Sequence, residues 1–258
     1  MPISDFGYSM TAHFLTIPHI DTDHSGISPY PVLILLSFAV GIAVMYLLNR
    51  KSGIERRIAG YLSFLAPMMS ICGGFTLTYI STNGKGAGLS SIGGLVGMYG
   101  AVITMALIIK DRIQGEKMLR SCTLVLPLMY SISKTGCLFA GCCHGIGYHG
   151  PLCIEYTGER TGDICVFPIQ LAETAVFLGI FVTGAVLFAR RNKHTTKLIA
   201  VVSLTAKFGL DFLRESHTEK IITFNQVLCI ALAVTALAAD IAYNRGIVFR
   251  KKEIYSHK

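Results

Sequence analysis

Lys134 and Lys207 stand apart from the rest of the 23 lysines and arginines, because each lies inside a segment apolar enough to cross a bilayer. Lys207 shares its segment with Asp211 and Arg214. Spacings of four and three place these three side chains along one helix face. A charge at the bilayer centre costs about 2.5 kcal/mol or more on insertion scales, so it normally faces a cavity and serves a purpose there. Asp211 can neutralise and orient the two cations, lowering the cost of holding them in low dielectric. Two cations against one acid leave positive charge to meet an anion. The ligand implied has an anionic group and one end in the membrane, as an anionic phospholipid does. Arg214, at the end of its segment, also suits a side chain that snorkels to the interface.

Lys134 opens the run Lys134-Thr135-Gly136-Cys137-Leu138-Phe139-Ala140-Gly141-Cys142-Cys143-His144-Gly145. At helical spacing Lys134, Cys137 and Gly141 share a face. The glycines would let a phosphate or lipid approach the backbone closely. Gln170 and Glu173, three apart after Pro168, face the same way and could meet Lys134 or Lys207. Glu173 could equally form a structural ion pair or order a nucleophile.

The connection 141–165 is rich in reactive side chains: Cys142, Cys143, His144, His149, Cys153, Glu155, Glu159, Asp163 and Cys165. His144 and His149 are imidazoles that could act as general bases or simply be solvated. The spacing of Cys137, Cys142, Cys143 and His144 matches no standard zinc pattern. Redox activity remains open for them, and so do disulfides among Cys142, Cys143, Cys153 and Cys165, since spacing does not dictate pairing. Cys72, Cys122 and Cys229 fall within apolar segments and read as packing residues.

These residues need a membrane scaffold to hold them. Of all residues, 52% are hydrophobic and 15% charged, with a mean hydropathy of +0.55, which excludes an ordinary soluble domain. Apolar segments of spanning length lie near 30–49, 58–80, 89–109, 119–140, 166–189, 197–213 and 222–243. The expected fold is an all-α bundle of seven transmembrane helices over 30–245, preceded by an external lead, 1–29, and followed by a basic tail, 246–258. Lys and Arg along the connections number 0, 4, 1, 4, 1, 4, 2 and 5 from the N-terminus. Basic residues concentrate in cytoplasmic loops, which puts the N-terminus outside and the C-terminus inside. Contact of that basic face with anionic lipid accounts for the net charge of +8 without nucleic acid. In the lead, His13, His19, His24, Asp21 and Asp23 could collect a metal, though scattered loop residues are the commoner reading. Glycines at 73, 74, 93, 94, 97, 100, 179 and 184 suit close helix packing.

The order of these motifs resembles the prolipoprotein diacylglyceryl transferase family. The family's signature, roughly Arg-x-Gly-Asn-Phe-x-Asn-Gly-Glu-x-x-Gly, aligns without gaps on 134–145, where Gly136, Gly141 and Gly145 match. Its His-Gly-Gly-Leu-x-Gly stretch is similar to Ile92-Gly93-Gly94-Leu95-Val96-Gly97, and its His-Pro-x-Gln-Leu-x-Glu to Phe167 through Glu173. An Arg-x-x-x-Glu-x-x-Arg element is similar to Lys207, Asp211 and Arg214. The family's histidine is Ile92 here, two of its arginines are Lys134 and Lys207, and an asparagine and a glutamate are Cys137 and Cys142.

The resemblance implies a multi-pass protein of the bacterial cytoplasmic membrane. It implies transfer of diacylglycerol from phosphatidylglycerol to a thiol such as the lipobox cysteine of a prolipoprotein, with neither cofactor nor resident metal. Lys134, Cys137, Cys142, His144 and Glu173 would be the catalytic set. Lys134, Lys207, Asp211, Arg214, Gly93, Gly94, Gly136, Gly141, Gly145 and Gln170 would receive the lipid phosphate. His144 or Glu173 would replace the missing histidine as base. The alternatives are a thiol–disulfide or metal-handling membrane protein using Cys137, Cys142, Cys143 and His144, and a non-catalytic anionic-lipid binder.

Overall fold

The computed structural model describes residues 20–21, 29–86, 88–150, 152–157, 164–192, 194–217 and 221–244. His13, His19, His24, Asp23, Glu159, Asp163 and the tail 246–258 lie outside them, as do any roles expected there. Seven helices run through the described residues: α1 (Pro29–Lys51), α2 (Arg56–Ser81), α3 (Ser91–Ile109), α4 (Arg112–Phe139), α5 (Ile169–Ala189), α6 (Thr195–Asp211) and α7 (Phe224–Asn244). The first five are long and apolar enough to cross a membrane; α6 has 17 residues, and the apolar stretch of α7 is Phe224–Ala238. Outward faces carry large apolar side chains such as Leu35, Phe64, Leu107 and Val201. In lipid such faces lose nothing by exposure, so small residues and polar groups must hold the helices together.

The α2–α3 seam shows how. Side chains at Gly93 and Gly97 would collide with the backbone carbonyls of Gly73 and Met69, and one at Gly94 would press on the Ser70 hydroxyl. These glycines are therefore what lets the two backbones touch. Between α3 and α4 the chain reverses within two residues. Lys110 adopts a left-handed conformation (φ 56°) that ends α3, and the Asp111 carboxylate accepts from the amides of Ile113 and Gln114 to begin α4.

α4 is the central helix, packed by α1, α3, α5 and α6. Met118, Cys122, Val125 and Met129 on it join Met45, Leu62, Met98 and Val102 in the largest buried cluster. It starts at Arg112, a full turn and more before the expected 119, because its cap and the exposed Arg112–Glu116 pair sustain polar turns that need no lipid.

The connection after α4 is structured. Strands β1 (Ile20–Asp21), β2 (Ile154–Thr157) and β3 (Ile164–Val166) form a small sheet in that order, with β1 parallel and β3 antiparallel to β2. β3 occupies the start of the segment expected to be helical from 166. Ile154, Tyr156 and Val166 bury against Leu138 at the end of α4, and the Tyr156 hydroxyl donates to the Leu138 carbonyl (2.9 Å). Cys153 and Cys165 pair as a disulfide across the β2–β3 hairpin, which resolves the pairing left open by spacing.

Replacing Gly97 with valine should destabilise the bundle by about 1–3 kcal/mol, the usual effect of overpacking. Gly100→Ala, one turn on and facing open space, should change little. Thermal unfolding in detergent followed by circular dichroism would compare them; equal midpoints would refute the seam as described.

Candidate active site

Glu173 has no solvent exposure, yet it is surrounded by charge. Its Oε2 lies 3.1 Å from Lys134 Nζ. Its Oε1 receives Arg214 Nη2 at 2.6 Å, Lys207 Nζ at 3.3 Å and the Tyr130 hydroxyl at 2.6 Å. Lys134, Lys207 and Arg214 are 5%, 7% and 8% exposed, so the whole cluster is buried. Each member comes from a different place: Tyr130 and Lys134 from one face of α4, Glu173 from the second turn of α5, Lys207 from α6, and Arg214 from just beyond α6. Ser131 and Thr174 exchange side-chain to backbone hydrogen bonds of 3.1 and 3.3 Å, which fixes α4 against α5 beside the cluster.

Asp211 is the second carboxylate. It lies 3.5 Å from Arg214 Nε in an ion pair and accepts from the Thr223 hydroxyl at the start of α7, while Gln226 accepts from the Thr223 amide. Three cations against two carboxylates leave one positive charge in a site of low dielectric. In low dielectric such surplus charge favours an anion.

Arg214 reaches the cluster by a backbone crossing. Residues 144–148 run between β3 and the turn after α6: Ile146 N donates to Leu213 O, Phe167 N to Ile146 O, and Tyr148 N to Cys165 O. Gly145 sits at the crossing, where a Cβ would strike the carbonyls of Phe167 and Leu213. Gly136 lies where α1 packs, against Tyr30 and Leu33, and Gly141 turns the chain out of α4 with φ 63°. Gln170 is fully buried and donates to the Cys142 carbonyl (3.0 Å) and towards the Tyr156 hydroxyl (3.4 Å), joining α5 to the loop and the sheet. Gly93 and Gly94 lie on the α2–α3 seam, and Ile92 beside them is buried.

The loop after α4 brings three thiols together. The Sγ atoms of Cys137, Cys142 and Cys143 all lie within 4.8 Å of one another; Cys137 is buried, Cys142 half-buried and Cys143 exposed. Cys143 holds a left-handed backbone (φ 56°), unusual for a side chain of this kind, in the turn that follows α4. Its thiol is held well below the ordinary range, because Cys137 and Cys142 donate to its sulfur and Lys134 and Arg214 add favourable charge. Cys142, donating to both neighbours, is pushed well up. His144 is half-buried, with Nε2 3.4 Å from the Glu215 carboxylate and Nδ1 3.3 Å from the Gly145 carbonyl. His149 is exposed.

Two participants escaped the sequence reading. Tyr130 carried a usable signal, being four residues before Lys134 on the same face. Thr223 carried none, since its partner Asp211 lies across a turn.

Apolar helices packed around buried charge define a multi-pass membrane protein. The chain belongs to the prolipoprotein diacylglyceryl transferase family, whose sequence model matches residues 20–242. A comparison with curated proteins returned no match. Membership makes the family's chemistry that of a transferase in lipoprotein biosynthesis, working at the bilayer on prolipoproteins.

Glu173→Ala would leave three buried cations without their shared partner and should destabilise the protein by about 3–5 kcal/mol. Glu173→Gln, which keeps a hydrogen-bonding oxygen, should lie between wild type and Glu173→Ala in thermal midpoint; an Ala variant as stable as wild type would contradict the arrangement. Because the Cys143 thiol is lowered, its thiolate persists as pH falls through the ordinary thiol range. Iodoacetamide should therefore label Cys143 at pH values where Cys142 stays unmodified, as read by peptide mass spectrometry. Lys134→Ala should move that Cys143 profile upward.

Proposed function

We propose that this chain transfers diacylglycerol from phosphatidylglycerol to the lipobox cysteine of a prolipoprotein at the bacterial cytoplasmic membrane. All seven helices then serve as spans, with the N-terminus outside. The observation that carries the reading is the buried cluster of Lys134, Lys207 and Arg214 around Glu173, with its surplus positive charge. Family membership supplies the reaction.

The phosphate of the lipid is received by these cations, with Asp211 and Gln170 keeping Arg214 and the 141–145 loop in place. The acceptor thiolate attacks the glycerol carbon bearing the phosphate. The carbon–oxygen bond breaks, its electron pair leaves on glycerol phosphate, and a thioether forms. Positive groups aimed at the leaving phosphate stabilise the charge that develops there.

Glu173 is a poor candidate for the base, because its oxygens are already engaged by three cations and the Tyr130 hydroxyl. Its part is to hold those cations at one point. His144, reached by Glu215 and bordering the thiols, is the better candidate for removing the acceptor proton.

Purified protein in phosphatidylglycerol nanodiscs, given a lipobox peptide, should yield a diacylglyceryl mass increase and released glycerol phosphate. Lys134→Ala and Lys207→Ala should each reduce this at least about 100-fold, as loss of an electrostatic contact to developing charge does. An unmodified peptide, beside an active family member as control, would refute the reading.

A further inference from the structure

The spacing of the cysteines along the chain matches no familiar metal pattern, but the fold brings three of their sulfurs together. We propose that Cys137, Cys142 and Cys143 are three ligands of a thiophilic divalent cation of the zinc class, whose fourth position receives the acceptor thiol. The use of that fourth position rests on the transferase reading; the cation site itself does not.

Metal–sulfur bonds of about 2.3 Å in tetrahedral geometry set sulfurs about 3.8 Å apart. The three Sγ atoms are within 4.8 Å, so they need to close by about an ångström at most. Side-chain rotation at Cys142 and Cys143, which lie in the loop after α4, can provide this, while buried Cys137 is fixed by its helix. Two sulfurs would suffice for a disulfide; convergence of three is what a metal requires. Cys153 and Cys165, with Glu155, form the other such group among the described residues, but their sulfurs are bonded to each other.

The three cysteines differ in exposure. Cys137 is covered and Cys143 faces outward, so the uncovered side of the trio is reachable from outside the fold. Three protein ligands with one open position are the arrangement of a catalytic rather than a structural zinc site. Coordination also activates a nucleophile by making its deprotonated form the stable one. The acceptor thiol would lose its proton to solvent or to His144 on binding. The metal-held thiolate would attack the glycerol carbon, the carbon–oxygen bond would break, and its electron pair would leave with glycerol phosphate. The product thioether, a weaker ligand, would then depart.

The test uses full-length protein in phosphatidylglycerol nanodiscs, reduced and then titrated with Co(II) as a spectroscopic probe. One Co(II) per chain should bind with thiolate-to-cobalt charge-transfer absorption. Cys142→Ser and Cys143→Ser should each weaken it by more than about tenfold, since even indirect ligand support is worth that much. Cys72→Ser should leave it unchanged. A lipobox peptide should raise the charge-transfer intensity, and the same peptide with serine for cysteine should not. Absence of binding, binding indifferent to both cysteine variants, or a peptide thiol that never enters the coordination sphere would each overturn the proposal. Unimpaired diacylglyceryl transfer by chelator-stripped protein would also overturn it, while leaving the transferase reading intact. Cobalt and peptide ligation with no transfer under any metal loading would sink the transferase reading and leave the cation site standing.

Discussion

Five charged side chains buried in a membrane protein can coexist only if each is compensated, and Glu173 is where that compensation is concentrated. One carboxylate is shared by Lys134, Lys207, Arg214 and the Tyr130 hydroxyl, drawn from α4, α5, α6 and the turn beyond α6. Removing ions from water is unfavourable by several kcal/mol for each, and mutual attraction offsets this only when geometry and hydrogen bonding are good. The helices carrying these groups therefore cannot slide independently. The same requirement that ties them together leaves unspent positive charge at one place, so the stability problem and the surplus charge are one arrangement.

Several features that look local serve this constraint. Arg214 lies beyond the last turn of α6, where a helix alone would let it wander to the interface. The 144–148 segment prevents this by hydrogen bonding to Leu213 on one side and to Phe167 and Cys165 on the other. Gly145 lets the three backbones meet. The small sheet, closed by Cys153–Cys165 and capped onto Leu138 through Tyr156, gives that segment a firm edge. Gln170 then joins α5, Tyr156 and the Cys142 carbonyl, so the thiol loop is held by the same framework that holds the cations.

Much of this was legible in the sequence because helical periodicity carries it. Lys207 and Asp211 fall on one face of α6 by spacing alone, as do Gln170 and Glu173 on α5, and apolar length places the helices to within a few residues at most ends. Arg214, expected on the same face, instead lies past the end of α6 and is brought in by the backbone crossing. What periodicity cannot carry was missed. Strands of two to four residues leave too short an alternating pattern to recognise, so the sheet read as loop. The start of α4 depends on an aspartate cap and an exposed ion pair rather than on apolar residues. The meeting of Cys137 with Cys142 and Cys143 depends on how the chain leaves α4, through Gly141 and the left-handed Cys143, and no spacing rule encodes that exit.

Lysine at 134 and 207, where the resembling family has arginine, makes physical sense in this setting. An arginine fork demands planar, two-point contact, whereas lysine acts as a point charge that three rotatable donors can satisfy in several directions. Lys207 uses this latitude, meeting both the Tyr130 hydroxyl and Glu173 while lying over the tyrosine ring (4.8 Å). Lys134 likewise meets Glu173 and lies 5.3 Å from the centre of the same ring. Tyr130 thus stands between two lysines and the arginine, sharing the carboxylate with all three. A fork at either position would have to place two donors on a carboxylate whose Oε1 already meets Arg214, Lys207 and Tyr130 and whose Oε2 already meets Lys134. The side chains around a single buried carboxylate are consequently chosen together, and a change at one of them alters what the others can be.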